Sequence, residues 1–219
     1  MLITLTTDFG YRDPFVGIMK GVIAGINPNA RVIDLSHDIP AQDIMAGALV
    51  LRHSVPYFPA SAIHIAVIDP GVGGARRPLL IECDGNYFVG PDNGVLSLAL
   101  AGKPPARIIH LSNSAYHLPP VSASFHGRDI FAPVAAYLSL GVAAVAFGDP
   151  VDSFLRLKVP EALRAPGRIC GEILYIDGFG NLFTNISERD LTGLTGDKMV
   201  GSLGDVMTEI VQRDARYLV

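Results

Sequence analysis

The sequence predicts an α/β protein: an N-terminal domain with a largely parallel sheet covered by helices, followed by a small C-terminal β domain. Three observations predict it. Short apolar runs alternate with helical stripes as far as residue 68, and such alternation needs crossover connections between parallel strands buried on both faces. Hydrophobic residues make up 49% of the 219-residue chain and charged residues only 17%, against a usual charged share of about 25%, which excludes a disordered or coiled-coil protein. Beyond about residue 168, strand-like runs follow one another with no helical pattern between them, as in an antiparallel domain.

Taken in order, residues 2–6 form the first strand. Asp13-Pro14 then starts a helix striped by Phe15, Met19, Val22 and Ile26, and Asn27-Pro28 stops it. Residues 31–35 are the second strand. Ile44, Ala48, Leu51 and Val55 stripe a second helix between Pro40 and Pro56, since the residue before a proline is pushed away from helical geometry. Residues 63–68 are the third strand. Residues 79–82 and 87–89 flank Asp84-Gly85-Asn86, a hairpin turn. A helix from about Gly94 and a strand at 107–111 follow.

Residues 130–148 carry no charge and approach the length of a membrane span, about 18 residues. Pro133, Tyr137, Ser139 and Gly141 interrupt them, so the prediction is a buried helix over 130–140 running into a short strand, with no membrane partner. The domain boundaries are predicted at 1–155 and 168–219, with a linker at 156–167 inside the proline-containing stretch 148–167.

The formal charge of −4 arises from 17 basic and 21 acidic residues. No basic run exceeds Arg76-Arg77, which excludes a nucleic-acid backbone as partner and favours a small molecule. Cys83 and Cys170 lie far apart, against a disulfide framework or zinc site, so reduced thiols and a cytoplasmic setting are expected. The chain enters an apolar segment with no basic stretch before it, and no signal peptide is expected.

Three acidic turns each end an apolar strand: Thr7-Asp8-Phe9-Gly10, Asp69-Pro70-Gly71-Val72-Gly73-Gly74 and Asp177-Gly178-Phe179-Gly180-Asn181. Ligands of open α/β sheets collect at the carboxyl ends of strands, while each turn alone is also ordinary turn chemistry. In the second, Arg76 follows Asp69 across a glycine-rich loop. The two are either an ion pair that pins the loop or part of a site. The loop matches neither a dinucleotide fingerprint nor a P-loop.

Phe125-His126-Gly127-Arg128-Asp129 places a histidine just before a predicted helix, whose N-terminus favours anions. Of six histidines, His126 and His37 remain candidates for chemistry. His37-Asp38 hints at a metal, yet no zinc ligand spacing supports one, so no metal is expected. There is no nucleophile elbow, and neither cysteine has an activating sequence neighbourhood. Polar positioning of a small molecule remains.

Taken as an ordered set, Leu-Thr-Thr-Asp-Phe-Gly (5–10), Ser-His-Asp-Ile-Pro-Ala-Gln-Asp (36–43), Val-Ile-Asp-Pro-Gly-Val-Gly-Gly (67–74), Gly-Pro-Asp-Asn-Gly (90–94), Phe-His-Gly-Arg-Asp-Ile-Phe (125–131) and Asp-Gly-Phe-Gly-Asn (177–181) resemble the S-adenosyl-L-methionine hydroxide adenosyltransferase family. These are adenosine-forming hydrolases related to fluorinase and chlorinase. The resemblance runs from residue 2 to about 195. It implies hydrolysis of S-adenosyl-L-methionine (SAM) to adenosine and L-methionine, with no cofactor and no metal. It further implies Asp69, Arg76 and His126 as the catalytic set that directs water at the ribose 5′ carbon.

By the same matching, Asp8 accepts from the ribose hydroxyls, Asn181 reads the adenine edge, Phe179 stacks on the ring and Asp177 helps hold the nucleoside. The family is a homotrimer with each site between the N-terminal domain of one subunit and the C-terminal domain of its neighbour. The halogenating relatives are expected to carry tyrosine where this chain has Asp69, since a carboxylate repels a halide. Asp69 therefore favours hydroxide over halide; a halide adenosyltransferase is an alternative reading, and so is an impaired adenosine- or SAM-binding protein. The latter reading comes from the C-terminal segment. It runs from Gly204 to Gln212 and then from Arg213 to Val219, and it reads as a β domain shorter than the family's.

Overall fold

The computed structural model of the chain describes residues 1–165, 168–187 and 190, together with the backbone of two strands at 198–203 and 206–211. These fall into two compact units, Met1–Leu157 and Lys158–Val219.

In the first unit, β1 (Leu2–Thr7), α1 (Phe15–Ile26), β2 (Arg31–Ser36), α2 (Ile44–Ser54) and β3 (Ile63–Val67) alternate as predicted. The remaining elements are β4 (Pro78–Cys83), β5 (Asn86–Pro91), β6 (Arg107–His110), α3 (Ala132–Ser139) and β7 (Asp149–Pro150). The sheet has the order β2-β1-β3-β5-β4-β6-β7. Pairing is parallel from β2 through β1 and β3 to β5 and antiparallel beyond, so β4 and β7 alone run against the common direction.

Local chemistry explains the boundaries. Asp43 caps α2 by accepting from the Ala46 N–H at 2.9 Å, while the Asn27 N–H closes α1 on the Ile23 carbonyl. Asp84 and Gly85, at φ of 51° and 73°, both take the left-handed conformation that a two-residue hairpin turn requires. Ile3, Leu5, Met19, Ile23, Phe131 and Phe147 are fully buried between the sheet and α1 with α3, and each large apolar side chain stabilises the fold by about 1.5–3 kcal/mol.

Two predicted helices differ. Residues 94–101 form successive tight turns, with Ser97 N–H bonding the Gly94 carbonyl and Ala101 N–H that of Leu98. Gly94 turns the chain at a φ of +101°. Val95, Leu96, Leu98 and Leu100 are all buried, leaving no solvent stripe for an amphipathic helix. The predicted 130–140 helix is split into a π-helical turn, Gly127–Phe131, and α3. Pro133 has no N–H to offer the Asp129 carbonyl four residues back, and that carbonyl accepts from Leu118 N–H instead, at 2.8 Å. A short 3-10 turn, Ala144–Phe147, leads into β7. Among the described residues no helix is long and apolar enough to cross a membrane.

The second unit consists of antiparallel pairs: β8 (Leu163–Ala165) with β9 (Arg168–Cys170), β10 (Ile173–Ile176) with β11 (Leu182–Thr184), and β12 (Lys198–Leu203) with β13 (Val206–Val211). The apolar run from residue 168 is two strands because the chain breaks at Gly171, where a Cβ would lie 2.4 Å from Asn185 Oδ1. The sequence reading of a shortened C-terminal domain falls partly on 204–205 and 212–219, which lie outside the described residues.

Candidate active site

Parallel pairing of Thr7 with Val67 brings the ends of β1 and β3 to one edge of the sheet. Asp8 leaves β1 there, and Asp69 lies just beyond β3. With Phe9, Gln42, Phe125 and His126 these two carboxylates line a cleft of about 220 Å³. The Asp8 carboxylate accepts from the Gln42 N–H at 2.8 Å. Gln42 has a φ of 65°, a conformation that costs a non-glycine residue about 1 kcal/mol or more; the bond to Asp8 offsets part of that cost.

Asp69 and Arg76 form a forked pair. Arg76 Nε donates to Asp69 Oδ1 at 3.0 Å, and its Nη2 contacts Asp69 Oδ2. The same Nη2 lies 2.7 Å from His126 Nδ1. The side chains of Arg76 and Asp69 are 8% and 5% exposed, so the pair is sheltered from solvent screening. A guanidinium has donors only, hence Nδ1 of His126 accepts and a neutral ring carries its proton on Nε2. Burial, and then the Arg76 charge, hold the His126 pKa below its ordinary value, although Asp69 and Asp129 pull the other way. Asp69 and His126 face the cleft, while Arg76 joins them from behind its wall.

The loop between Asp69 and Arg76 is glycine-rich because it packs tightly. Gly73 has a φ of +74°, and a Cβ there would stand 2.1 Å from the Ala123 carbonyl oxygen. The opposite loop, which carries His126, hangs on the buried Asp129. That carboxylate accepts from Ser122 N–H at 2.8 Å and from Arg128 Nε at 2.5 Å. Burial pushes its pKa up, but the Arg128 and Ser122 hydrogen bonds outweigh this and hold it below the usual carboxylate range.

His37 is the other candidate histidine, and its ring is wholly buried. Nδ1 lies 2.8 Å from Thr7 Oγ1, and Nε2 lies 3.1 Å from Asp34 Oδ1. Lys20 donates to Asp34 Oδ2 at 2.6 Å. Burial raises the Asp34 pKa, yet the hydrogen bond from Lys20 and the contact with His37 leave it lowered overall. His64, in β3, is fully buried, with Nδ1 2.9 Å from Thr4 Oγ1. Burial pushes its pKa down to about 4.

Residues 3–148 match the SAM hydroxide adenosyltransferase N-terminal domain. The chain belongs to that family. It is 45% identical over 183 residues to an (R)-S-adenosyl-L-methionine hydrolase of Salinispora tropica, covering 82% of this chain and 70% of that one. A fluorinase of an Actinoplanes species is more distant, at 24% identity over 217 residues, covering 87% and 73%. A solved structure of an uncharacterized conserved protein from Thermotoga maritima superposes with a TM-score of 0.88 at 33% identity, covering 98% of this chain and 83% of that one.

In this SAM hydroxide adenosyltransferase family member, Asp8, Asp69, Arg76 and His126 thus come together in the first unit. Asp177, Phe179 and Asn181 form a cluster of their own in the second. Asp177 Oδ1 accepts from the N–H groups of Phe179 and Asn181, at 2.9 and 2.8 Å, and Oδ2 from Asn181 Nδ2 at 2.7 Å. These bonds, that of the Asn181 side chain foremost, hold the Asp177 pKa low. They fix a turn whose tip, Phe179, is 95% exposed.

Thr7 and Gln42 are parts of the site that sequence reasoning did not single out; adjacency to Asp8 was the available signal for Thr7. Cys83 and Cys170 are both free thiols. Among the described residues no group of three or more histidine, cysteine or acidic side chains could hold a metal ion.

Proposed function

We propose that the chain hydrolyses SAM to adenosine and L-methionine by in-line attack of water on the ribose 5′ carbon. The sheltered Asp69–Arg76 pair, joined to the partly buried His126 at the wall of the cleft that also holds Asp8, carries this reading. The relative named as a SAM hydrolase supports it, at nearly twice the identity of the fluorinase.

The leaving group dictates what the site must do. As the new carbon–oxygen bond forms, the 5′ carbon–sulfur bond breaks with its electron pair on sulfur, and the positive sulfonium becomes a neutral thioether. No acid is needed there; the site must hold a water in line and take one proton from it. Arg76 has no acceptor, and His126 Nδ1 already accepts from Arg76. The Asp69 carboxylate offers about four lone-pair sites, of which Arg76 occupies two. Asp69 therefore orients the water and receives its proton. Arg76 fixes that carboxylate and offsets its charge, and His126 fixes Arg76.

Asp8 accepts from the ribose hydroxyls, and Phe179 stacks on adenine. Asn181 is held through Nδ2 by Asp177, which leaves its amide oxygen to accept from the adenine amino group. Water and SAM suffice, with no cofactor. The protein works as a homotrimer with sites shared between subunits; the exposed Phe15 and Ile18 of α1 are apolar surface consistent with assembly. Two free thiols suit a reducing, cytoplasmic setting.

Incubation with SAM followed by chromatography tests the reading. Adenosine and methionine should appear in equal amounts, and no adenosine above the enzyme-free control would defeat it. Asp69→Ala should lower kcat by about 10²–10⁴-fold, the usual contribution of a positioned proton acceptor, with a far smaller loss of adenosine binding. Equal losses would contradict the role given to Asp69.

A further inference from the structure

We propose that His37, acting through Thr7, is a positioning residue that aims Asp8 at the ribose hydroxyls. This rests on the reading of the site above. His37 lines no part of the cleft, yet it grips the turn that carries Asp8 at both ends. Its Nδ1 meets the Thr7 hydroxyl at 2.8 Å, and its carbonyl accepts from the Gly10 N–H at 2.8 Å.

The direction of the bonds follows from the partners. Thr7 Oγ1 accepts from the Phe9 N–H at 3.3 Å, so its own proton is free to go to His37 Nδ1. The imidazole proton then sits on Nε2, in close charge contact with Asp34 Oδ1 at 3.1 Å, though the two are not aligned as a hydrogen bond. Lys20 anchors the far side of Asp34. The result is a chain from the surface, Lys20 to Asp34 to His37 to Thr7, ending one residue short of Asp8. An apolar ring of similar size would fill the same volume without the cost of burying polar nitrogens. Selecting histidine there makes sense where the orientation of the turn matters. Asp8 then has one oxygen committed to Gln42 N–H, and its direction is fixed before substrate arrives.

The test separates positioning from mere structural support. Binding of adenosine and 2′-deoxyadenosine is measured by calorimetry with the unmodified protein, Thr7→Val and Thr7→Ser. The unmodified protein should prefer adenosine by about tenfold or more, because a charged acceptor loses its partner in the deoxy compound. Thr7→Val, nearly equal in volume but lacking the hydroxyl, should reduce this preference to within about threefold, chiefly through weaker adenosine binding. Thr7→Ser should restore it. His37→Phe should act in the same direction, and the threonine variants cut the same contact should that protein not fold. A preference kept in Thr7→Val, an equal weakening of both nucleosides, or no rescue by Thr7→Ser would overturn the role of His37 alone. No binding of adenosine by the unmodified protein would overturn the reading of the site, and this role with it.

Discussion

Replacing Arg76 with methionine removes the charge at the centre of the site while keeping most of the side-chain length. Asp69 would keep its place in the wall, 5% exposed, with no cation beside it. Breaking one side of a buried pair costs about 3–5 kcal/mol, because the remaining charge stays desolvated and unpaired. In a unit of this size each kcal/mol lowers the melting temperature by about 2–4 °C, which gives a drop of roughly 6–20 °C. The double variant Asp69→Leu/Arg76→Met leaves no orphan charge and should recover most of that loss. Thermal unfolding followed by circular dichroism reads both. A loss in Arg76→Met below about 1 kcal/mol, the range of exposed pairs, would refute the reasoning, as would a double variant less stable than the single.

Three further outcomes follow from the same geometry. Because burial and Arg76 keep the His126 pKa below its ordinary value, about 6.5, kcat/KM should hold as pH falls through that value and decline only lower; a limb centred at or above 6.5 would contradict the neutral ring. His64 titrates near 4 in the folded protein and near 6.5 when unfolded. The unfolded chain therefore binds a proton that the folded one does not, and stability should fall by on the order of 3 kcal/mol between pH 7 and pH 4. His64→Phe should flatten that decline in urea titrations, and an unchanged slope would count against it. Gly73→Ala would put a Cβ against the Ala123 carbonyl and displace the loop that carries His126. Turnover should drop by about 10²-fold, as small misplacements do, with far-UV circular dichroism unchanged; full turnover would show that the two loops need not touch.

The alternating elements were legible because their signals are local. Prolines 14, 28, 40 and 56 punctuate the chain, and Asp84-Gly85 specifies a turn by its own backbone preference. Residues 94–101 differ from the predicted helix for a physical reason: a mostly apolar stretch fits a buried helix or buried turns equally well, and here Ser97 turns its hydroxyl back to the Gly94 carbonyl while Leu155 and Leu157 close against Gly94. The split before α3 depends on Leu118 capturing a carbonyl that Pro133 leaves free, a contact between residues far apart in sequence. The Asp69–Arg76 spacing was visible as a candidate pair, whereas His126, fifty residues further along, joins them only in the fold. Its grouping with them came from family resemblance. The bond between Thr7 and His37 is equally nonlocal, set by the parallel register of β1 and β2.

Hydrolysis of SAM in water enriched in oxygen-18 tests the account most directly, because it follows the oxygen onto the carbon that Asp69 is said to serve. The account predicts adenosine carrying the label at its 5′ hydroxyl, methionine in equal amount, and both products formed about 10²–10⁴-fold more slowly by Asp69→Ala. Unlabelled adenosine, or labelled adenosine formed as fast without the Asp69 carboxylate, would contradict it.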